Sequence, residues 1–172
     1  VITATGMAAI TVVGHLLPAG SRIVAAHDCY GGTFRLFSAW QRRGEMKVDF
    51  VDFGDAAAVE AALSLPCALL WIETPSNPLL RISDIEALAA RGRKAGALVA
   101  VDNTFLSPAW QQPLALGADR VVHSTTKYIN ENGRARRATH LVGQLPRPHR
   151  RAVRQLSHVA RRAHAARAAR DP

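Results

Sequence analysis

Short apolar runs alternate with longer stretches of helical spacing over residues 1–130, and turn residues separate them. Met7 to Leu17 is apolar with small residues and closes at Leu17-Pro18-Ala19-Gly20, which predicts a helix ended by a Pro/Gly turn. Arg22 to Ala26 follows as a short buried strand. Thr33 to Arg43 sets Phe34, Phe37 and Trp40 three apart on one face, so an amphipathic helix is expected to stop at Gly44. Lys47 to Phe53 alternates with the period of a strand. Asp55 to Leu65, rich in alanine behind an aspartate, predicts a short capped helix, and Ala68 to Glu73 an apolar strand. Ser83-Asp84-Ile85-Glu86 opens a further helix that runs to about Gly96, and Leu98 to Asp102 and Arg120 to Val122 complete the strands.

Strands that alternate with helices of about ten residues imply mainly parallel pairing through right-handed crossovers. The expected fold is α/β, a mostly parallel sheet flanked by helices. In such sheets chemistry collects at the carboxyl ends of the strands. Three polar groups fall there: Glu73 to Asn77, Asp102 to Thr104, and His123 to Lys127.

The pattern changes abruptly after Asn130. Residues 131–172 hold no Ile, Met, Phe, Trp, Tyr, Cys or Lys, so they have little to bury and are expected to form an Arg/Ala-rich tail that is disordered or marginally helical. The chain carries 22 Lys and Arg against 13 Asp and Glu, a net charge of +9. Residues 1–130 hold 11 basic and 11 acidic residues, so the whole excess lies in the tail, where 11 arginines face only Glu131 and Asp171. A basic stretch raises a nucleic-acid partner as one reading, but this one has no interleaved aromatic to stack on bases, and that partner is not favoured. No apolar run approaches the length of a membrane span, and the N-terminus lacks the pattern of a signal peptide, so a cytoplasmic location and no membrane partner are expected. Cys29 and Cys67 have no metal-ligand spacing and predict buried thiols, and no metal site is expected.

Four features carry candidate chemistry. Lys127 follows hydroxyl residues in Ser124-Thr125-Thr126-Lys127 beyond a strand, where an amine could attack an aldehyde; a solvated surface lysine is the plainer reading. Asp102 ends an apolar strand, and a buried carboxylate there is costly unless paired, as by a pyridinium nitrogen, or used to cap the next segment. Thr5-Gly6-Met7-Ala8 precedes an apolar helix whose free N–H groups favour a phosphate, although any helix begun by glycine shares that trait. Tyr30-Gly31-Gly32 sets an aromatic ring beside a flexible turn, suited to stacking on a cofactor or to packing in the core.

Taken in order, Tyr30-Gly31-Gly32, Glu73-Thr74-Pro75-Ser76-Asn77-Pro78, Val101-Asp102-Asn103-Thr104-Phe105 and His123-Ser124-Thr125-Thr126-Lys127-Tyr128 resemble the Cys/Met (trans-sulfuration) family of pyridoxal-phosphate enzymes. Gly6-Met7-Ala8-Ala9 and Leu17-Pro18-Ala19-Gly20 extend the resemblance over essentially all of residues 1–130. It implies the large cofactor-binding domain of the aspartate-aminotransferase-type fold. It also implies elimination or replacement at the γ-carbon of sulfur amino acids or activated homoserine, of the cystathionine γ-synthase or γ-lyase type. Lys127 would be the Schiff-base lysine and proton shuttle, with Tyr30 stacking on the ring and assisting proton transfer. Asp102 would bind the ring nitrogen and Asn77 the ring oxygen or the substrate, while Gly6, Met7, Ser124 and Thr126 would hold the phosphate of pyridoxal 5′-phosphate.

The family pattern also implies further chain on both sides, an amino-acid substrate, and a homo-oligomer in complete relatives. After the lysine the family continues into Gly-His-Ser-Asp, whereas this chain reads Glu131-Asn132-Gly133-Arg134-Ala135-Arg136-Arg137. Such a switch is what GC-rich coding DNA yields out of frame, so residues 131–172 are expected to be frameshift-derived. A non-catalytic remnant of the family and a basic-tailed nucleic-acid-binding protein are the alternative functions.

Overall fold

The computed structural model describes residues 1–127, Ile129 and the backbone of residues 139–142. Its strands are β1 (Ile2–Thr3), β2 (Arg22–Ala26), β3 (Lys47–Val51), β4 (Leu69–Glu73), β5 (Leu98–Asp102), β6 (Arg120–His123) and β7 (Thr139–Val142). Five helices join them: α1 (Gly6–Gly14), α2 (Gly31–Arg42), α3 (Ala56–Leu63), α4 (Ile85–Lys94) and α5 (Ser107–Trp110). The sheet runs in the order β1-β7-β6-β5-β4-β2-β3. From β6 to β3 every pairing is parallel, and β7 lies antiparallel to both β6 and β1. This is the α/β architecture that the alternating pattern predicts.

The helix boundaries follow local chemistry. Thr5 accepts a hydrogen bond from the Ala8 N–H at 3.0 Å, Asp55 from Ala57 and Ala58 at 2.9 and 3.1 Å, and Asp84 from Ala87 at 3.0 Å. Each satisfies donors that the first turn leaves free. At the other end, Gly44 and Gly96 have φ of 70° and 77° and stop α2 and α4. The next N–H in each case, Glu45 and Ala97, bonds back to Trp40 and Gly92 at 2.9 Å, closing the helix with a left-handed cap open to glycine. The first helix is shorter than expected. Its last turn tightens as Leu16 and Leu17 donate to Val13 and Gly14, so the helix ends three residues before Leu17.

Two cores cover the two faces of the sheet. Leu70, Ile72, Val99 and Val101 pack with Val59, Ala62, Ile85 and Leu88 beneath α3 and α4. Leu69, Trp71, Ala100 and Val122 pack with Ile10, Val13, Phe37 and Trp40 beneath α1 and α2. The alternation of strand side chains divides the residues between the faces. Phe37 and Trp40 occupy the core as the helical spacing predicts, but Phe34 is 44% exposed and rests on Phe50, with ring centroids 4.6 Å apart. The apolar stripe of α2 is therefore narrower than its three aromatics suggest.

Two strands are absent from the sequence reading. β1 is two residues long, too short to show a period, and β7 lies in the Arg/Ala-rich stretch. His140 and Leu141 of β7 stand opposite His123 and Val122 of β6, so this part of the expected tail joins the sheet. The rest of that expectation lies outside the described residues. Among the described residues no helix is long and apolar enough to cross a membrane.

Gly14 is where α1 crosses α2, and a Cβ there would overlap the Trp40 ring. Replacing a helical glycine by alanine ordinarily stabilises by up to about 1 kcal/mol. Here Gly14→Ala is expected to destabilise the chain by about 1–3 kcal/mol, the cost of overpacking, read as a lower urea midpoint at unchanged slope.

Candidate cofactor site

The inward alternation that buries Trp71, Ala100 and Val122 under α1 and α2 continues two residues further along each strand, to Glu73, Asp102 and Ser124. These three polar side chains therefore emerge on one face, at the carboxyl ends of three adjacent parallel strands. A cavity of about 480 Å³ opens there, a size common for small-molecule pockets. Every residue singled out in the sequence lines it: Gly6 and Met7 from the start of α1, Tyr30 before α2, Asn77 after β4, Asp102 at the end of β5, and Ser124, Thr126 and Lys127 after β6. Among the lining residues to which the sequence reading gave no role are Glu73, Thr104 and Phe105.

Close backbone approach shapes the two ends of the cavity. A Cβ on Gly6 would come within 3.2 Å of the Ser124 Cβ, so glycine lets the start of α1 meet the β6 loop. A Cβ on Gly32 would meet both the Tyr30 ring and the Met7 sulfur, the latter at 2.6 Å. Gly32 thus leaves room for the ring and for Met7 beside the first turn of α2.

Hydrogen bonds between distant segments fix the loops. The Thr104 N–H donates to Asp102 Oδ1 at 3.0 Å, and Thr104 Oγ1 accepts from the Ser124 N–H at 2.9 Å. One threonine therefore ties the end of β5 to the loop that carries Lys127. Gln111 Nε2 donates to the Thr74 carbonyl at 3.1 Å and to Asn103 Oδ1 at 2.9 Å, which joins the loops after β4 and β5. The segment bearing Asn77 is held by Ser76, whose hydroxyl donates to Asp28 Oδ2 at 2.5 Å, and by the Arg81–Asp52 ion pair at 2.9 Å.

Electrostatics single out two carboxyls. Glu73 and Asp102 are register partners on β4 and β5, 5% and 8% exposed. Burial first, and then the neighbouring charge of Asp102, push the Glu73 carboxyl up to about 8. Burial also raises Asp102, against the opposing effect of two hydrogen bonds from Thr104. Among the described residues neither carboxyl forms an ion pair, so the cavity floor suits a cationic ligand group. No group of three or more His, Cys, Asp or Glu among the described residues could hold a metal ion. Cys29 and Cys67 are buried free thiols, and burial pushes the Cys29 thiol up to about 12.

Removing the hydroxyl in Thr104→Val would strip the Ser124 N–H of its acceptor. The variant is expected to lose about 1–2 kcal/mol in denaturant unfolding, while Thr104→Ser, which keeps the oxygen, loses less than half of that. Equal losses in the two variants would show that the methyl group and not the hydroxyl matters.

Residues 1–144 match the family described as Cys/Met metabolism PLP-dependent enzyme. Cystathionine gamma-synthase of Escherichia coli is 54% identical over 131 residues, which are 76% of this chain and 34% of that protein. Cystathionine gamma-lyase of Dictyostelium discoideum is 46% identical over 127 residues, covering 74% of this chain and 33% of that protein. The structure of cystathionine gamma synthase from Xanthomonas oryzae pv. oryzae superposes with a TM-score of 0.81 at 42% identity, covering 96% of this chain and 41% of that one. The chain thus spans about a third of the length of the curated relatives it matches. With the fold, the motif order and the family match in agreement, the chain belongs to the Cys/Met metabolism family of pyridoxal-phosphate-dependent enzymes.

Proposed function

We propose that the cavity binds pyridoxal 5′-phosphate and that the complete protein performs γ-elimination or γ-replacement on sulfur amino acids or activated homoserine. The cystathionine γ-synthases and γ-lyases among its relatives carry the second part of that reading. The observation that carries the first is the convergence of residues from 6 to 127 on one cavity whose floor holds two buried carboxyls that form no ion pair among the described residues. The cofactor, when bound, supplies a protonated ring that draws electrons from the α-carbon of an attached amino acid.

This chain's residues fit that group. Lys127 would supply the amine that attaches it and carry protons between substrate carbons. Asp102, held by Thr104, would pair with the ring nitrogen and keep it protonated. Tyr30 would offer its ring as the stacking surface and its hydroxyl for proton transfer, and Asn77 would hydrogen-bond at the ring oxygen or the substrate. The phosphate suits the start of α1 at Gly6 and Met7 together with the hydroxyls of Ser124 and Thr126, where free N–H groups and the helix dipole favour an anion.

Addition of pyridoxal phosphate to the purified chain is expected to raise an absorbance band near about 420 nm, the region of its imines. Lys127→Ala should abolish the band while leaving the urea midpoint unchanged. A wild-type chain that gives no band would overturn the cofactor assignment.

A further inference from the structure

Glu73 lines the cavity, but none of the roles assigned above uses it. Its position is unusual in two respects. It stands in register with Asp102 on the neighbouring strand, with both side chains on the same face. Its Oε2 also accepts the backbone N–H of Tyr30 at 2.7 Å, across 43 residues of sequence. Two buried carboxyls on adjacent strands cannot both ionise at modest cost, so the pair shares its protons. Each accepts one backbone N–H, Asp102 from Thr104 at 3.0 Å and Glu73 from Tyr30 at 2.7 Å, but their charged neighbours differ. Glu73 stands near Asp28 as well as Asp102, so a negative charge on Glu73 meets more repulsion than one on Asp102.

We propose that Glu73 is a positioning residue that keeps the proton of the Glu73–Asp102 pair, leaving the negative charge on Asp102, while it fixes the backbone that carries Tyr30. The part that concerns the ring nitrogen and the stacking ring rests on the cofactor assignment above; the sharing of the proton does not. The other ionisable groups around Glu73 are Asp28 and Cys29 on the loop before α2, with Tyr30 and Lys127 across the same cavity. Of these, the Asp28 charge favours the protonated form of Glu73, in the same sense as Asp102.

The proton has a consequence without any ligand. An acid held up to about 8 in the folded chain keeps a proton that the unfolded chain gives up near its ordinary value of 4.5. The folded state then binds more protons across that window, so stability falls as pH rises from 4.5 toward 8. Glu73→Gln keeps the size and the acceptor for Tyr30 but cannot titrate. Melting of the ligand-free chain across this window is expected to drop for the wild type, and the drop should shrink to about half or less in Glu73→Gln. An undiminished drop in that variant overturns the proposal.

A titration with pyridoxal phosphate near neutral pH gives the second readout. Glu73→Gln is expected to bind within roughly threefold of wild type, whereas Asp102→Asn loses about a hundredfold by leaving the ring cation without its anion. Glu73→Ala, which removes the acceptor for Tyr30, should fall between them, and recovery by Gln separates positioning from charge. If Glu73→Gln weakens binding as much as Asp102→Asn, Glu73 acts as an anion and the proposal fails. A wild type that does not bind pyridoxal phosphate sinks the cofactor assignment and with it the claim about the ring, while the melting curves still decide where the proton resides.

Discussion

Register across the parallel strands is the constraint on which the site depends. Glu73 stands opposite Asp102, and Asp102 opposite Val122, so the inward-facing series Trp71-Glu73, Ala100-Asp102 and Val122-Ser124 ends at one level. The same alternation that buries Trp71 and Ala100 at 0% exposure delivers the polar residue two positions later to the same face. Core and site are therefore one pattern. A slip of one residue in β4 would send Glu73 toward α3 and α4 and bring Ile72 to the cavity floor.

The buried carboxyls cost stability, and their surroundings show how that cost is contained. Each accepts a short hydrogen bond from backbone: Glu73 from Tyr30 at 2.7 Å and Asp102 from Thr104 at 3.0 Å. Tyr30 and Thr104 also line the cavity. The groups that offset the cost of burial are thus the ones that position the cavity wall, so solvation of the floor and placement of the walls cannot be varied independently. Thr104 extends this linkage to the Ser124 N–H and hence to the turn in which the Lys127 N–H donates to the Ser124 carbonyl at 3.2 Å.

Much of the fold was legible in the sequence because its signals are local. Gly44 and Gly96 stop helices by their own backbone preference, Asp55 and Asp84 cap by bonds two or three residues away, and five apolar runs match five parallel strands. The candidate site was legible as a set of residues, since motif order brought Gly6, Tyr30, Asn77, Asp102 and Lys127 together before any geometry was known. What was not legible is pairwise and distant. Glu73 stands inside a recognised motif, but its bond to Tyr30 spans 43 residues, and Thr104 reaches Ser124 across 20. Phe34 shares the helical spacing of Phe37 and Trp40, yet whether a helix buries a wide or a narrow stripe depends on the sheet beneath it. β7 escaped for another reason: it joins β6 and β1 through backbone hydrogen bonds, so an Arg-rich neighbourhood does not reveal it.

The carboxyl edge of the sheet also carries apolar surface that the described residues do not cover. Leu79, Leu80 and Ile82 follow β4, and Trp110 closes α5; Ile82 and Trp110 are 74% and 85% exposed. These side chains lie on or next to the two loops that Gln111 and Thr74 hold together. The same two loops thus send Asn77 and Thr104 to the cavity and leave Leu79, Leu80, Ile82 and Trp110 exposed, so one pair of loop conformations sets both the polar lining and the apolar surface beyond it.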